Sequence, residues 1–124
     1  MRDGKFVVLC IDDDQDLLDV LRITIEAGGY IMDEAHSAEE GLKLYRKAQP
    51  DFIFVDLMME SVDSGRAFAR ELIALDNQAP VYLLSSVGDS MSQNISATDL
   101  GLSGMLQKPL DPNTLLALLK SKLK

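Results

Sequence analysis

Short apolar runs alternate along this chain with longer segments in which apolar residues recur every three or four positions. That alternation predicts βα units arranged around a parallel sheet. Strands are predicted over residues 5–11, 30–35, 51–56, 81–85 and 104–107, and helices over residues 16–27, 37–48, 65–75, 89–100 and 112–124. These five units account for all 124 residues, so we expect one domain over residues 1–124.

The ends of the predicted helices carry residues that commonly begin and end helices. Asp14 is placed to cap the first helix, and Gly28 and a second glycine follow its last turn. Ser37 and Glu40 have the spacing of a capping box at the start of the second helix. The helix over residues 89–100 is the weakest prediction, because its Ser, Thr and Asn side chains compete for backbone hydrogen bonds.

Composition and charge narrow the class of protein. The net charge of −8 disfavours direct binding to a nucleic-acid backbone. No apolar run is long enough to span a membrane, and the N-terminus does not have the pattern of a signal peptide. The single cysteine, Cys10, stands inside an apolar strand, which is typical of a small core residue and fits a reducing compartment. We therefore expect a cytoplasmic domain without membrane or nucleic-acid contacts.

Polar groups suited to phosphate or metal chemistry stand at the carboxyl ends of four of the five predicted strands. They are Asp12 and Asp13 after the first strand, Asp56 at the end of the third, Ser85 at the end of the fourth and Lys108 after the fifth. In open parallel sheets, ligands bind beyond these strand ends. Helix capping explains Asp14 and Asp16, but it does not explain Asp56, which is followed by apolar residues. Taken alone, neither Ser85 nor Lys108 would indicate a functional site, because each is also common in ordinary loops.

The order and spacing of these groups resemble the receiver domain of bacterial two-component response regulators. The matching motifs are "IDD" at the end of the first strand, "FVD" followed by "LMM", "LLS" at the end of the fourth strand, and "KP" after the fifth. The resemblance covers essentially the whole chain. It implies a flavodoxin-like (βα)5 fold, which is a doubly wound five-stranded parallel sheet of order 2-1-3-4-5. In that order the four polar strand ends lie side by side.

Carboxylates crowded at one edge of a sheet repel each other, and a hard divalent cation with oxygen ligands relieves that repulsion. Mg²⁺ suits a site with few protein ligands. We expect Asp13 and Asp56 to bind Mg²⁺ directly, with Asp12 close by or acting through water. The resemblance implies a further ligand, the backbone carbonyl of Met58.

The resemblance implies that Asp56 is a phosphoacceptor and that the protein is a signalling switch rather than an enzyme. A sensor histidine kinase or phosphotransfer protein would supply the phosphoryl group from a phosphohistidine. Lys108 and Ser85 would then contact the phosphoryl oxygens, with a cis Lys108-Pro109 bond aiming the lysine. Phosphorylation would draw Ser85 inward and change the surface formed by the fourth helix, the fifth strand and the fifth helix. That surface would regulate an effector protein or a fused output domain, or form a phosphorylation-linked dimer.

Several positions depart from the family pattern. Met105 stands where the family usually has a tyrosine or phenylalanine, and methionine has no ring or hydroxyl that could follow Ser85 inward. Glu60 replaces a proline, and Gly65 is displaced by one position, which indicates a loop of altered shape. Met58 and Val87, which would flank the phosphate, are apolar and cannot orient an attacking water. We therefore expect a long-lived phosphoaspartate.

Two alternatives stay open at the level of sequence. A haloacid-dehalogenase-like Mg²⁺ phosphatase would use Asp12 and Asp14 as its Asp-x-Asp motif. Such an enzyme needs a further acidic cluster after the lysine, but Asp111 is the only acidic residue after Lys108. Asp56 would also have no role. A receiver-like docking module that is never phosphorylated would agree with Met105 and the altered loop. His36, the single histidine, is expected to be a loop residue at the end of the second strand.

Overall fold

The computed structural model describes residues 1–56, 62–85, 103–108 and 110–123, with the backbone alone at residues 62–66. Its strands are β1 (Val7–Ile11), β2 (Ile31–Ala35), β3 (Phe52–Asp56), β4 (Val81–Ser85) and β5 (Gly104–Gln107). Its described helices are α1 (Gln15–Ala27), α2 (Ala38–Lys47), α3 (Val62–Ala74) and α4 (Pro112–Lys122). The helix predicted over residues 89–100 lies outside the described residues.

Most predicted elements are confirmed within one or two residues. β1 begins at Val7 rather than at residue 5, because Lys5 belongs to a turn in which its backbone pairs with that of Arg2. The larger difference is at α3, which begins at Val62, three residues before the predicted start at Gly65. Gly65 is instead the fourth residue of α3.

The predicted sheet topology is confirmed. All neighbouring strands are parallel, and their order is β2-β1-β3-β4-β5. The register pairs Ile11 with Val55 and Val55 with Leu83, so the ends of β1, β3 and β4 lie within two residues of the same level of the sheet. Every strand end that carries a candidate functional group is therefore on one edge.

Alternate residues of the strands pack on opposite faces of the sheet, which explains the nearly continuous apolar runs of β1, β3 and β4. Leu9 and Ile11 belong to a core cluster that includes Tyr45 of α2 and Phe68 of α3. The other face is covered mainly by α1 and α4, and its cluster contains Cys10. Cys10 is fully buried, as predicted, and burial raises the pKa of its thiol. The sheet therefore has a buried core on each side.

Helix caps hold the loops that join strands to helices. The Asp14 carboxylate accepts hydrogen bonds from the backbone amides of Asp16 (3.0 Å) and Leu17 (3.4 Å), which confirms it as the N-cap of α1. The Ser37 hydroxyl accepts a hydrogen bond from the Glu40 amide at 3.1 Å and caps α2. Within the residues described above, every helix is too short or too polar to cross a lipid bilayer.

Candidate functional site

Strands β1 and β3 bring Asp12 and Asp56 to the same level of the sheet. Asp12 directly follows β1, and its amide donates a hydrogen bond of 3.0 Å to the carbonyl of Ala35 at the end of β2. Asp56 is the last residue of β3, one position beyond Val55, which pairs with Ile11. Neighbouring strands lie about 4.8 Å apart, so two carboxylates at this level are within reach of one cation.

Three carboxylates gather at this edge of the sheet. Asp12, Asp13 and Asp56 each place a carboxylate oxygen within 4.8 Å of the other two. Asp12 is 1% exposed and Asp56 is 5% exposed, whereas Asp13 is exposed. Burying carboxylates costs free energy unless hydrogen bonds or cations accompany them. A nearby cation would therefore stabilise this cluster.

Lys108 reaches across the sheet from the end of β5. Its backbone amide donates a hydrogen bond of 2.6 Å to the carbonyl of Ser85, which extends the pairing of β4 with β5. Its ammonium nitrogen Nζ donates to Asp12 Oδ2 at 2.9 Å and to Asp56 Oδ1 at 3.3 Å. The long side chain thus spans from β5 to β1 and bridges the two buried carboxylates.

The surroundings of Lys108 act on its pKa in opposite directions. Partial burial, which is the largest influence, lowers the pKa because it disfavours the charged ammonium. The hydrogen bond and charge of Asp12, and then those of Asp56, raise the pKa, and together they outweigh burial. The pKa of Lys108 is therefore raised, and the side chain is a cation at neutral pH.

The sequence and the expected strand order indicated that Lys108 is long enough to reach the end of β1, but they assigned Asp12 to the metal and did not identify its direct hydrogen bond with Lys108. Both Asp12 oxygens have donors, since Oδ1 accepts a hydrogen bond of 2.9 Å from the Asp14 amide and Oδ2 faces Lys108. Asp12 and Lys108 are 96 positions apart in the sequence, and the strand order brings them together. Asp12 is thus suited to orient Lys108 as well as to approach a cation.

The structure also places the other residues that the sequence singled out. Ser85 is 4% exposed at the end of β4, one position beyond Leu84, which pairs with Asp56.

Asp14 is engaged as a helix cap and is not part of the carboxylate cluster, which disfavours the phosphatase alternative. His36 is half-exposed in the loop after β2, as predicted, and it also contacts Gln15. Met105 packs against the core on the α2 and α3 side of the sheet.

Further expected features lie outside the described residues. They are the Met58 carbonyl, Glu60, Val87 and the peptide bond between Lys108 and Pro109. Of the four residues predicted to bind Mg²⁺, the structure thus places Asp12, Asp13 and Asp56.

The donor set suits Mg²⁺. This ion takes oxygen ligands at about 2.0–2.1 Å, so ligands on opposite sides of it lie about 4.2 Å apart. Neighbouring ligands of an octahedral ion lie about 2.9 Å apart, so the three carboxylate oxygens, which are within 4.8 Å of one another, would have to move closer by up to about 2 Å to bind one ion. Three carboxylates and one ammonium also leave a negative balance that a divalent cation would offset.

Comparison with known proteins identifies the family. Residues 8–120 match the family model described as the response regulator receiver domain. The chain is 30% identical over 117 residues to the response regulator MprA of Mycobacterium ulcerans, a match that covers 94% of this chain and 50% of that protein. This chain spans about half the length of the curated relatives it matches.

Solved structures agree with that match. The chemotaxis protein CheY4 of Vibrio cholerae has a TM-score of 0.85 at 26% identity, and the alignment covers 97% of this chain and 100% of that chain. The receiver domain of NtrX from Brucella abortus has a TM-score of 0.83 at 23% identity, covering 94% of this chain and 97% of that chain. At that identity, the likeness to NtrX establishes the shared fold alone.

Proposed function

This chain belongs to the response regulator receiver domain family of two-component systems, and from that premise we propose that Asp56 accepts a phosphoryl group from a phosphohistidine of a partner protein. Response regulators interact with histidine kinases and output domains, so the donor would be a sensor histidine kinase or a phosphotransfer protein. The observation that carries the proposal is the position of Asp56, buried at a strand end beside Lys108 and two further carboxylates.

The proposed step is a displacement at phosphorus. A carboxylate oxygen of Asp56 attacks the phosphorus atom and forms an acyl phosphate. The bond between phosphorus and the donor's imidazole nitrogen breaks, and its electron pair stays on that nitrogen. Such transfers depend mostly on positioning and on neutralising the charge of the phosphoryl oxygens. The residues around Asp56 are suited to both tasks.

Lys108 and Ser85 are the protein groups proposed to receive the phosphoryl oxygens. The ammonium group of Lys108 already lies 3.3 Å from Asp56 Oδ1 and carries the charge that a phosphoryl oxygen requires. The Ser85 hydroxyl is at the end of the neighbouring strand and would donate to another oxygen. Asp12 would keep Lys108 aimed at this position through its own 2.9 Å contact.

Receiver domains bind Mg²⁺ in an acidic pocket, and here Asp12, Asp13 and Asp56 would hold it. We expect Asp13 and Asp56 to be the direct ligands, because both Asp12 oxygens already accept hydrogen bonds. When bound, Mg²⁺ supplies positive charge that offsets the negative charge of the phosphoryl oxygens.

The product would act as a switch rather than as an intermediate of turnover. The added charge on Asp56 would attract Ser85 and Lys108 and alter the surface next to β5. Since this chain spans about half of its curated relatives, an output domain on the same polypeptide and a separate effector protein are both suitable receivers of the signal.

Labelling with a small phosphodonor tests the proposal directly. The protein is incubated with Mg²⁺ and acetyl phosphate, and the modified residue is located by mass spectrometry. We expect one phosphoryl group per chain, on Asp56, and none in Asp56→Asn. Asp51→Asn is the matched control, because Asp51 lies just before the opposite end of the same strand, where its carboxylate accepts a hydrogen bond of 2.8 Å from the Val7 amide.

Undiminished labelling of Asp56→Asn would contradict the assignment. So would hydrolysis of a general phosphomonoester over many turnovers, because that result would favour the phosphatase alternative. Equal labelling of the wild-type protein and the Asp51→Asn variant is the expected result for the control.

A further inference from the structure

Gln15, the first residue of α1, connects the start of that helix to the end of β2. Its side-chain amide nitrogen donates to Glu34 at 3.1 Å and to Asp19 at 2.8 Å. Its amide oxygen accepts a hydrogen bond from His36 Nε2. The Gln15 side chain therefore has partners on its own helix and on both sides of Ala35 at the end of β2.

Glu34 is itself a fixed partner. Its carboxylate accepts a hydrogen bond of 2.8 Å from Arg22, and Arg22 also donates to the carbonyl of Met32 at 3.0 Å. The hydrogen bond from Arg22 is the largest influence on Glu34 and lowers its pKa, and a smaller contribution comes from the hydrogen bond of Gln15. Gln15 is therefore attached to a carboxylate that Arg22 already holds in place, and Arg22 is in turn held by the carbonyl of Met32.

The end of β2 thus holds the acidic loop, residues 12–14 between β1 and α1, from both of its ends. At residue 12 the contact is the backbone hydrogen bond of 3.0 Å to the carbonyl of Ala35. At residue 15 the contact is made by the side chain, to Glu34 and His36. Asp13 lies between these points, and in the described part of the chain its exposed carboxylate accepts no hydrogen bond. The position of Asp13 therefore depends on its backbone.

We propose that Gln15 is a positioning residue that, through Glu34 and His36, holds the backbone of Asp13 where its carboxylate joins those of Asp12 and Asp56. This role rests on the proposed function, in which Asp13 is a ligand of Mg²⁺. Groups that orient a metal ligand without touching the metal commonly change the affinity of the site for the metal by about 10- to 100-fold. The contacts of Gln15 are exposed to water, so we expect a smaller effect.

The test compares Gln15→Ala with the wild-type protein in a titration with MgCl₂, followed by the backbone amide signals in NMR spectra. Gln15→Ala is expected to weaken Mg²⁺ binding about three- to tenfold. Without the metal, it should speed hydrogen exchange at the amides of Asp13 and Asp14. Gln49→Ala is the matched control, because it removes another exposed glutamine outside this cluster and changes no charge. Its Mg²⁺ affinity should equal that of the wild type.

A double-substitution cycle adds a second readout. If Gln15 acts through His36, the variant with both Gln15→Ala and His36→Ala should bind Mg²⁺ about as weakly as Gln15→Ala alone. The midpoint of urea unfolding should move no further for Gln15→Ala than for Gln49→Ala, which separates positioning from a general loss of stability.

Each outcome decides between the claims. If the wild type and Gln15→Ala bind Mg²⁺ equally well, the positioning role is wrong and the proposed function stands. If Mg²⁺ binds neither protein, or binds the wild type without shifting the signals of Asp13 and Asp56, the proposed function fails and the positioning role fails with it. If the losses of Mg²⁺ affinity caused by Gln15→Ala and by His36→Ala add fully in the double variant, the role of His36 is wrong.

Discussion

The ammonium group of Lys108 lies between two carboxylates that are almost fully buried. Two unit charges about 4 Å apart attract each other by about 4 kcal/mol when partly shielded from water, and the cost of burying the charges offsets part of that attraction. Removing one partner of such a group leaves the others buried without compensation. The lysine is therefore expected to support the fold as well as the chemistry of Asp56.

Replacing that lysine tests its structural role. Lys108→Met should lower the free energy of unfolding by about 2 kcal/mol without Mg²⁺, because Asp12 and Asp56 lose their cation. Adding Mg²⁺ should restore most of that loss, since the ion would bind the same carboxylates. Urea unfolding followed by circular dichroism measures both values.

Lys43→Met is the control for that experiment. Lys43 is 72% exposed and faces Glu39 at 3.7 Å, so its loss should cost less than about 0.5 kcal/mol. A Lys108→Met variant that is as stable as Lys43→Met would show that the buried carboxylates do not depend on the lysine.

At the scale of elements, β2 has a larger role than its sequence indicated. Its carboxyl end carries no phosphate- or metal-binding group, yet it accepts the amide of Asp12 and holds Gln15. Its Glu34 also joins α1 to the sheet through Arg22, at 2.8 Å. This edge strand therefore supports the acidic loop from the side.

The contact between Glu34 and Arg22 predicts a pH-dependent stability. The folded-state pKa of Glu34 is lowered, first by the hydrogen bond of Arg22, so its contribution is present above the ordinary value of 4.5. That contribution is lost as the pH falls through the lowered value. Glu34→Gln should therefore be less stable than the wild type by about 0.5–1 kcal/mol near neutral pH. The difference should disappear as the pH falls well below 4.5.

Urea unfolding of both proteins over this pH range makes the measurement. Glu39→Gln serves as the control, because the Glu39 side chain is 82% exposed and its loss should cost little at any pH. A difference between Glu34→Gln and the wild type that stays constant on acidification would contradict the assignment to the charged form of Glu34.

The sequence predicted the strands well because each buried parallel strand is a nearly continuous apolar run, as in Phe52–Asp56. It predicted the residues at the strand ends for the same reason, since a polar group such as Asp56 stands out after such a run. Strand order does not follow from periodicity and came from the family resemblance. The contact of Lys108 with Asp12 depends on that order and on a side-chain conformation, which spacing does not reveal.

At the scale of the molecule, the fold explains why groups distant in sequence act at one place. The order β2-β1-β3-β4-β5 sets β1, β3, β4 and β5 side by side, and the parallel direction puts their carboxyl ends on one edge. That arrangement brings together four groups, each at the end of a different strand: Asp12, Asp56, Ser85 and Lys108. Under the proposed function, phosphorylation of Asp56 would act on the edge formed by β4 and β5, next to which an output partner would bind.

The most direct test is a crystal structure of the protein with Mg²⁺ and beryllofluoride, a stable mimic of a phosphoryl group. We expect the mimic on the Asp56 carboxylate, Mg²⁺ in contact with Asp13 and Asp56, and fluorine atoms within hydrogen-bond distance of Lys108 Nζ and the Ser85 hydroxyl. A structure in which the mimic binds elsewhere, or in which Lys108 and Ser85 both stay away from it, would contradict the account.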